Sequence, residues 1–295
     1  MLFAAMCVIW GIPYLFIRVA VGELTPATLV FVRSGVAALI LMPFVLGRGG
    51  LREIGNRWVP LVAFAALEIA GPWFFLSSAE QHITSALAGL LISAVPLVGV
   101  AVATALGNRE HLELGSMTGF VVGLGGVALI VGFDLRASDS VALIQMALVV
   151  IGYAVAPAIL ARYLTGVPSV TVIGLSLGLC ALGYAPAAAL QWPHAMPSLA
   201  VIGSVAVLAV ICTAIAFLLF FRLIAEIGPV RATVITYVNP AVAAILGVAV
   251  LHESLTVGML FGFVLVLGGS VLATRRRVPA AASRRAPETQ PADAL

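Results

Sequence analysis

Residues 110–129, EHLELGSMTGFVVGLGGVAL, return at 253–272 as ESLTVGMLFGFVLVLGGSVL, with ten of twenty positions identical at a shift of 143. Both copies are too apolar for a solvent-facing helix and too long for a buried strand. A chain that repeats such a stretch is an internally duplicated membrane protein. The register extends outward from there. Pro43 meets Pro186 at the same shift, and a shift of 144 pairs Pro13 with Pro157, Arg18 with Arg162 and Pro96 with Pro240.

Composition narrows the choice. Of 295 residues 62% are hydrophobic and 9% charged, against about a quarter charged in a soluble chain. A single soluble core cannot hide that much apolar surface, whereas lipid can. All 15 basic residues are Arg. Without Lys, a Walker-type phosphate loop and Schiff-base chemistry are both excluded. Cys7, Cys180 and Cys212 lie far apart in apolar runs and read as core packing.

Each crossing needs about 20 apolar residues, and ten such runs are present: 2–21, 27–46, 59–79, 84–106, 114–133, 141–163, 170–191, 198–221, 229–251 and 256–274. Helix is the state expected of all ten, because an open strand edge in hydrocarbon leaves backbone groups unpaired. The expected fold is therefore all-α and polytopic. One five-helix repeat spans 1–134, a second spans 140–274, and 275–295 is a disordered basic cytoplasmic tail whose Arg residues lie on anionic headgroups. With both termini cytoplasmic, twelve Arg fall on the inner side and only Arg136 in an outer loop, the positive-inside pattern. Five spans per repeat is odd, so the halves are expected to be inverted relative to each other. That is the geometry of alternating access.

The segment Ile83-Thr84-Ser85-Ala86-Leu87-Ala88-Gly89-Leu90-Leu91-Ile92-Ser93-Ala94-Val95-Pro96, followed by Glu110, Gly115 and Gly119, resembles the end of an EamA domain. So does Val230-Arg231-Ala232-Thr233-Val234-Ile235-Thr236-Tyr237-Val238-Asn239-Pro240, followed by Glu253, Gly258 and Gly262. Trp10-Gly11 with Arg18, Pro26 and Arg33 resembles the family's opening. The resemblance covers the chain to residue 274 and implies a ten-helix member of the drug/metabolite transporter superfamily. It implies a bacterial inner-membrane exporter of amino acids or other small metabolites. Two departures stand out: Gly152-Tyr153-Ala154 replaces Trp10-Gly11 in the second copy, and Ser176 replaces Arg33.

Among single residues Glu68 is the sharpest signal. It lies in the middle of the third run, where a carboxylate costs about 2.5–3.5 kcal/mol to insert. It is expected to bind a cationic substrate group or to take up a proton that competes with one; a hydrogen-bonded structural acid is the alternative. Pro13, Pro96, Pro157 and Pro240 are expected to interrupt matched helices beside a transport site. Asn239 adds a donor and an acceptor there, and Trp10, Trp73, Tyr153 and Tyr237 are candidate cavity walls. Arg33 sits about 10 Å inside the second run. It is expected to snorkel outward or pair with Glu23, with a clamp on a substrate carboxylate as the alternative. Glu110 and Glu253 are expected to cap turns, or to pair with Arg109 or His252. Gly115, Gly119 and Gly123, echoed by Gly258 and Gly262, put small residues on one helix face for close packing within the chain, or for a homodimer. Gly174-Leu175-Ser176-Leu177-Gly178 matches a nucleophile elbow by letter only, since the stretch lies inside a membrane helix and the next His is His194. His82, His111, His194 and His252 are too scattered to hold a metal, and no cofactor or nucleic-acid partner is expected. The expected activity is secondary active transport, with exchange for protons as its coupling. A passive channel or uniporter is the first alternative and an intramembrane enzyme the second.

Overall fold

The computed structural model describes residues 1–47, 49–105, 114–132, 140–228, 232 and 234–274. The loop positions Arg48, Arg109, Glu110, His111, Arg136 and Arg231, and the tail from Arg275, lie outside the described residues. Among the described residues ten apolar helices run in chain order: α1 Leu2–Ala20, α2 Pro26–Gly47, α3 Trp58–Ala79, α4 Ser85–Ala105, α5 Leu114–Gly132, α6 Ser140–Tyr163, α7 Ser169–Leu190, α8 Leu199–Ile227, α9 Ile235–Leu251 and α10 Val257–Thr274. Nine contain a stretch of 18 or more residues apolar enough to cross a membrane, and α9 is the shorter one. A short helix, Gly50–Ile54, caps the turn between α2 and α3. The predicted boundaries agree to within one residue except at α8, which continues past residue 221 to Ile227, and at α9, which begins at Ile235 and not at 229.

The packing repeats from one half to the other. The closest pairs are α5 with α10, α2 with α7, α3 with α6, α4 with α9 and α1 with α8. Exchanging the halves turns α1–α8 into α6–α3 and leaves the other three pairs unchanged. Glycine makes the α5–α10 seam possible. A Cβ on Gly126 would stand 2.6 Å from the Gly262 carbonyl, and one on Gly119 2.6 Å from the Gly269 carbonyl. The expected glycine faces therefore meet inside the chain. Large side chains such as Leu39, Val59, Leu182 and Leu190 face outward, as a lipid solvent demands. Some inner hydroxyls are returned to their own helix: Ser34 Oγ donates to Val30 O at 2.6 Å and Ser204 Oγ to Ala200 O at 2.7 Å.

The expected proline breaks hold only in the first half. Before Pro13, α1 opens over Trp10–Ile12, and before Pro96, α4 opens at Ser93–Ala94. Pro157 and Pro240 sit inside continuous helices. One missing backbone bond is tolerable in a spanning helix whose neighbours shield the freed carbonyl.

Glu253 caps a helix, as expected, but in the other half and without His252. Its carboxylate accepts from Ser85 N (2.9 Å), Ser85 Oγ (3.0 Å) and Ala86 N (2.9 Å). This places negative charge on the N-terminus of α4, where unpaired N–H groups and the helix dipole favour it.

Candidate functional site

The site begins with a missing donor. Pro72 has no N–H to give the Glu68 carbonyl four residues earlier. The chain relieves the gap by widening one turn, so that Ala66–Ala70 is π-helical and the Gly71 N–H bonds to Ala66 O. Tyr184 Oη adds a bond to Ala70 O at 3.0 Å. The shift of 143 carries 66–70 onto 209–213, inside the π-helical stretch Val207–Ile215 of α8. No proline stands there. Instead Thr213 Oγ1 donates to the Leu208 carbonyl at 2.8 Å. The matched interruptions are thus π turns in α3 and α8, which sequence reasoning missed. Such turns are rare and collect at functional sites.

Against the first π turn lies the backbone of α6. A Cβ on Gly152 would come 2.5 Å from the Leu67 carbonyl and 3.0 Å from Pro72 Cγ, so only glycine lets the helices close this far. Tyr153 is the next residue. Its hydroxyl faces the Trp73 indole N–H and lies within electrostatic reach of Glu68 and Arg33. Glu68 itself, on the π turn, is largely buried and keeps only part of its surface open.

Arg33 comes in from α2. It neither snorkels nor pairs with Glu23, correcting both expectations. At 6% exposure its guanidinium lies over the Trp73 ring, Cζ 3.7 Å from the centroid, and Nε donates to Thr213 Oγ1 at 3.0 Å. A desolvated cation on an indole face gains about 2 kcal/mol, and the hydroxyl satisfies one of its five donors. These two contacts hold Arg33 inward. Glu23 stays exposed at the α1–α2 turn and accepts from Ser198 N at 2.7 Å. Arg33 and Glu68 form no ion pair; Trp73 and Tyr153 link them.

The other candidates sort apart. Trp10 packs on Phe220 and Phe217, with centroids at 4.5 and 5.8 Å. Asn239 is a brace. The α1 opening leaves the Cys7 carbonyl without a helical donor, because Gly11 N bonds to Val8 O instead. The Asn239 amide, oriented by its network, donates to Cys7 O at 3.0 Å and to Ile235 O at 2.9 Å. Tyr237 stands at an end of the bundle, its hydroxyl 3.4 Å from Thr274 Oγ1 on the last residue of α10, and does not join the Arg33 group. Ser176, at the position matching Arg33, is fully buried with no hydrogen-bond partner for its hydroxyl. Among the described residues no three metal-binding side chains converge.

Thr213 was invisible to sequence reasoning, although it and Ser204 are the only hydroxyls of α8. Glu80 was missed as well, because it follows the end of an apolar run and reads as loop. It is fully buried.

The model of the EamA-like transporter family matches residues 1–132 and again 140–275. No curated protein matches the chain. A solved structure described only as "Crystal structure of protein" shares the fold, with a TM-score of 0.66 at 24% identity over 92% of this chain and 96% of that one.

Proposed function

Because the chain belongs to the EamA-like transporter family, we propose that it is a secondary active transporter of the inner membrane. It works by alternating access between two inverted halves and exports a small metabolite that carries both a carboxylate and an ammonium group, in exchange for protons. The observation that supports this reading is the pair of π turns at equivalent positions in α3 and α8, flanking Arg33, Trp73, Tyr153 and Glu68. Arg33 offers its Nη groups to the carboxylate, and Trp73 and Tyr153 wall the substrate. Glu68 faces the ammonium. A fixed cation and a fixed anion held apart by aromatic rings suit a dipolar solute better than an ion of either sign. The outward direction follows the family resemblance.

A passive pore is the competing reading. It needs a continuous polar face, whereas the polar groups here are isolated among apolar neighbours, which suits an occluded site. The test is counterflow of labelled amino acids in proteoliposomes, with and without a pH gradient. Saturable exchange that falls at least about tenfold in both Arg33→Ala and Glu68→Gln, in protein that remains monodisperse, supports the reading. Unchanged counterflow in both variants, or non-saturable flux, overturns it.

A further inference from the structure

The mechanism above leaves one buried acid unused. Glu80, directly after α3, has zero exposure, and neither carboxyl oxygen has a hydrogen-bond partner. Among the described residues the groups facing it are few. From α1 come Tyr14 and Arg18, from α2 Arg33, and from the α9–α10 turn Glu253. The adjoining turns of α4 and α6 present no ionisable side chain to it, and His82, in the same loop, is exposed. Arg18 Nη1 donates to the Glu80 backbone carbonyl and forms no ion pair with the carboxyl. Glu253 is committed to capping α4 through Ser85 and Ala86.

A bare carboxylate sealed from water, with no donor on either oxygen and a second carboxylate nearby, would carry its full desolvation penalty. A neutral carboxyl carries far less. Burial first, and then the Glu253 charge, push the Glu80 carboxyl well above the usual carboxylate range; Arg18 and Arg33 oppose them without prevailing. The α1, α3, α4 and α9–α10 ends meet here, and by the Arg distribution this is the outer end of the bundle.

We propose that Glu80 is a proton-binding site whose occupancy closes the outer end of the transporter. With a proton bound, Glu80 stays packed between α1 and the Glu253-capped start of α4. When the outer end opens and water enters, the carboxyl releases its proton. The resulting carboxylate draws Arg18 from the backbone carbonyl and repels Glu253, holding α3 and α1 away from α4. The closed form therefore binds one more proton than the open form, and a lower external pH favours closure. Arg33 lies within electrostatic reach of Glu80 as well as of the proposed substrate site, so charge at one alters the other. This coupling rests on the transport reading above; the closure itself does not.

The test uses Cys212 as a reporter. It is 2% exposed and lies near the Arg33 guanidinium. In Cys7→Ala/Cys180→Ala protein, reconstituted in vesicles with the outer end exposed, a membrane-impermeant cationic thiol reagent is added from outside across a pH series. The rates are normalised to a small-molecule thiol. The normalised rate should rise with external pH, by up to about tenfold per unit, the limit for a single linked proton. In Glu80→Gln it should stay at the low acid value at every pH, while Glu80→Asp restores the slope. A pH slope retained in Glu80→Gln overturns the proposal, as does a flat wild-type profile. If Glu80→Gln fails to fold, labelling of unmutated Glu80 by an apolar carbodiimide, read by mass spectrometry, replaces it. Loss of labelling as external pH rises supports the site, and pH-independent labelling overturns it. Neither readout needs a substrate. A failed counterflow assay with an intact labelling slope would refute the transport reading alone, and the reverse result would refute the proton site alone.

Discussion

Gly152→Ala adds one carbon and two hydrogens, yet the geometry predicts that it disables the site. The new Cβ would sit 2.5 Å from the Leu67 carbonyl oxygen, where ordinary contact begins at 3.4 Å. Backbone is in the way rather than a flexible side chain, and Pro72 blocks retreat to one side at 3.0 Å. Helix α6 must therefore back off the π turn by about 0.9 Å. Overpacking of this kind costs roughly 1–3 kcal/mol, more than alanine's gain of about 1 kcal/mol over glycine in a helix interior. Tyr153 moves with α6, away from Trp73 and Glu68. A displacement of about 1 Å at a positioned group can cost on the order of a hundredfold in rate, so counterflow should fall tenfold to a hundredfold with only a modest drop in melting temperature. Gly125→Ala and Gly268→Ala are the controls, since a Cβ at either position meets nothing within 4 Å. They should leave flux unchanged and melting unchanged or slightly higher. If Gly152→Ala behaves like these controls in both assays, the close approach of α6 does not position Tyr153 and the argument fails.

Three other perturbations have defined outcomes. Asn239→Leu leaves the Cys7 carbonyl without its donor, so thermal unfolding should show a loss of about 1–3 kcal/mol that Asn239→Asp does not repair, since a carboxylate cannot donate. Glu253→Ala removes all three bonds capping α4 and should destabilise by about 1.5–3 kcal/mol, with hydrogen exchange accelerating first at the amides of Ser85 and Ala86. The Ser198 hydroxyl and backbone N–H hold the Glu23 carboxyl below its ordinary value of 4.5. Its contribution to stability is therefore complete above about that pH and is lost as pH falls through the lower folded-state value. Melting curves of wild type and Glu23→Gln should differ at neutral pH and converge in acid; curves that stay parallel would show that Glu23 does not stabilise the α1–α2 turn.

The helices were legible because a bilayer demands long apolar runs, and duplication made the halves legible as units. The nearness of Glu68, Trp73 and Tyr153 was also legible, since a mid-span carboxylate is costly and the aromatics lie at its level. Arg33 was harder. Its depth of about 10 Å allows the side chain to reach outer water or turn inward, and the choice depends on Thr213, 180 residues away. No local pattern carries that information. The prolines misled for a related reason: whether a missing N–H breaks a helix depends on which neighbour shields the freed carbonyl. At Pro72 the answer was a π turn, while Pro157 and Pro240 lie within helices that stay continuous. Glu80 was hidden by its position just past an apolar run, since burial by other helices leaves no trace in its own segment.

Duplication also explains why the site is built as it is. Two identical halves related by exchange would place the same residue on both walls of a central cavity, which suits a symmetric solute or a single ion. Here the halves keep the common frame of paired π turns and paired helices, while the residues at matched positions differ. Arg33 meets the π turn of α8 through Thr213, whereas its counterpart Ser176, on α7, is buried with its hydroxyl unpartnered. Glu68 stands on one π turn, and its counterpart at the shift of 143 is Ile211. Divergence has put one fixed cation and one fixed acid into a symmetric scaffold, each without an equivalent on the other side. On the proposed function, a scaffold polarised in this way would distinguish the two ends of a bound molecule. Restoring symmetry should therefore remove that discrimination before it removes the fold: Arg33→Ser combined with Glu68→Ile deletes both buried charges and should leave a stable bundle that no longer selects for dipolar solutes.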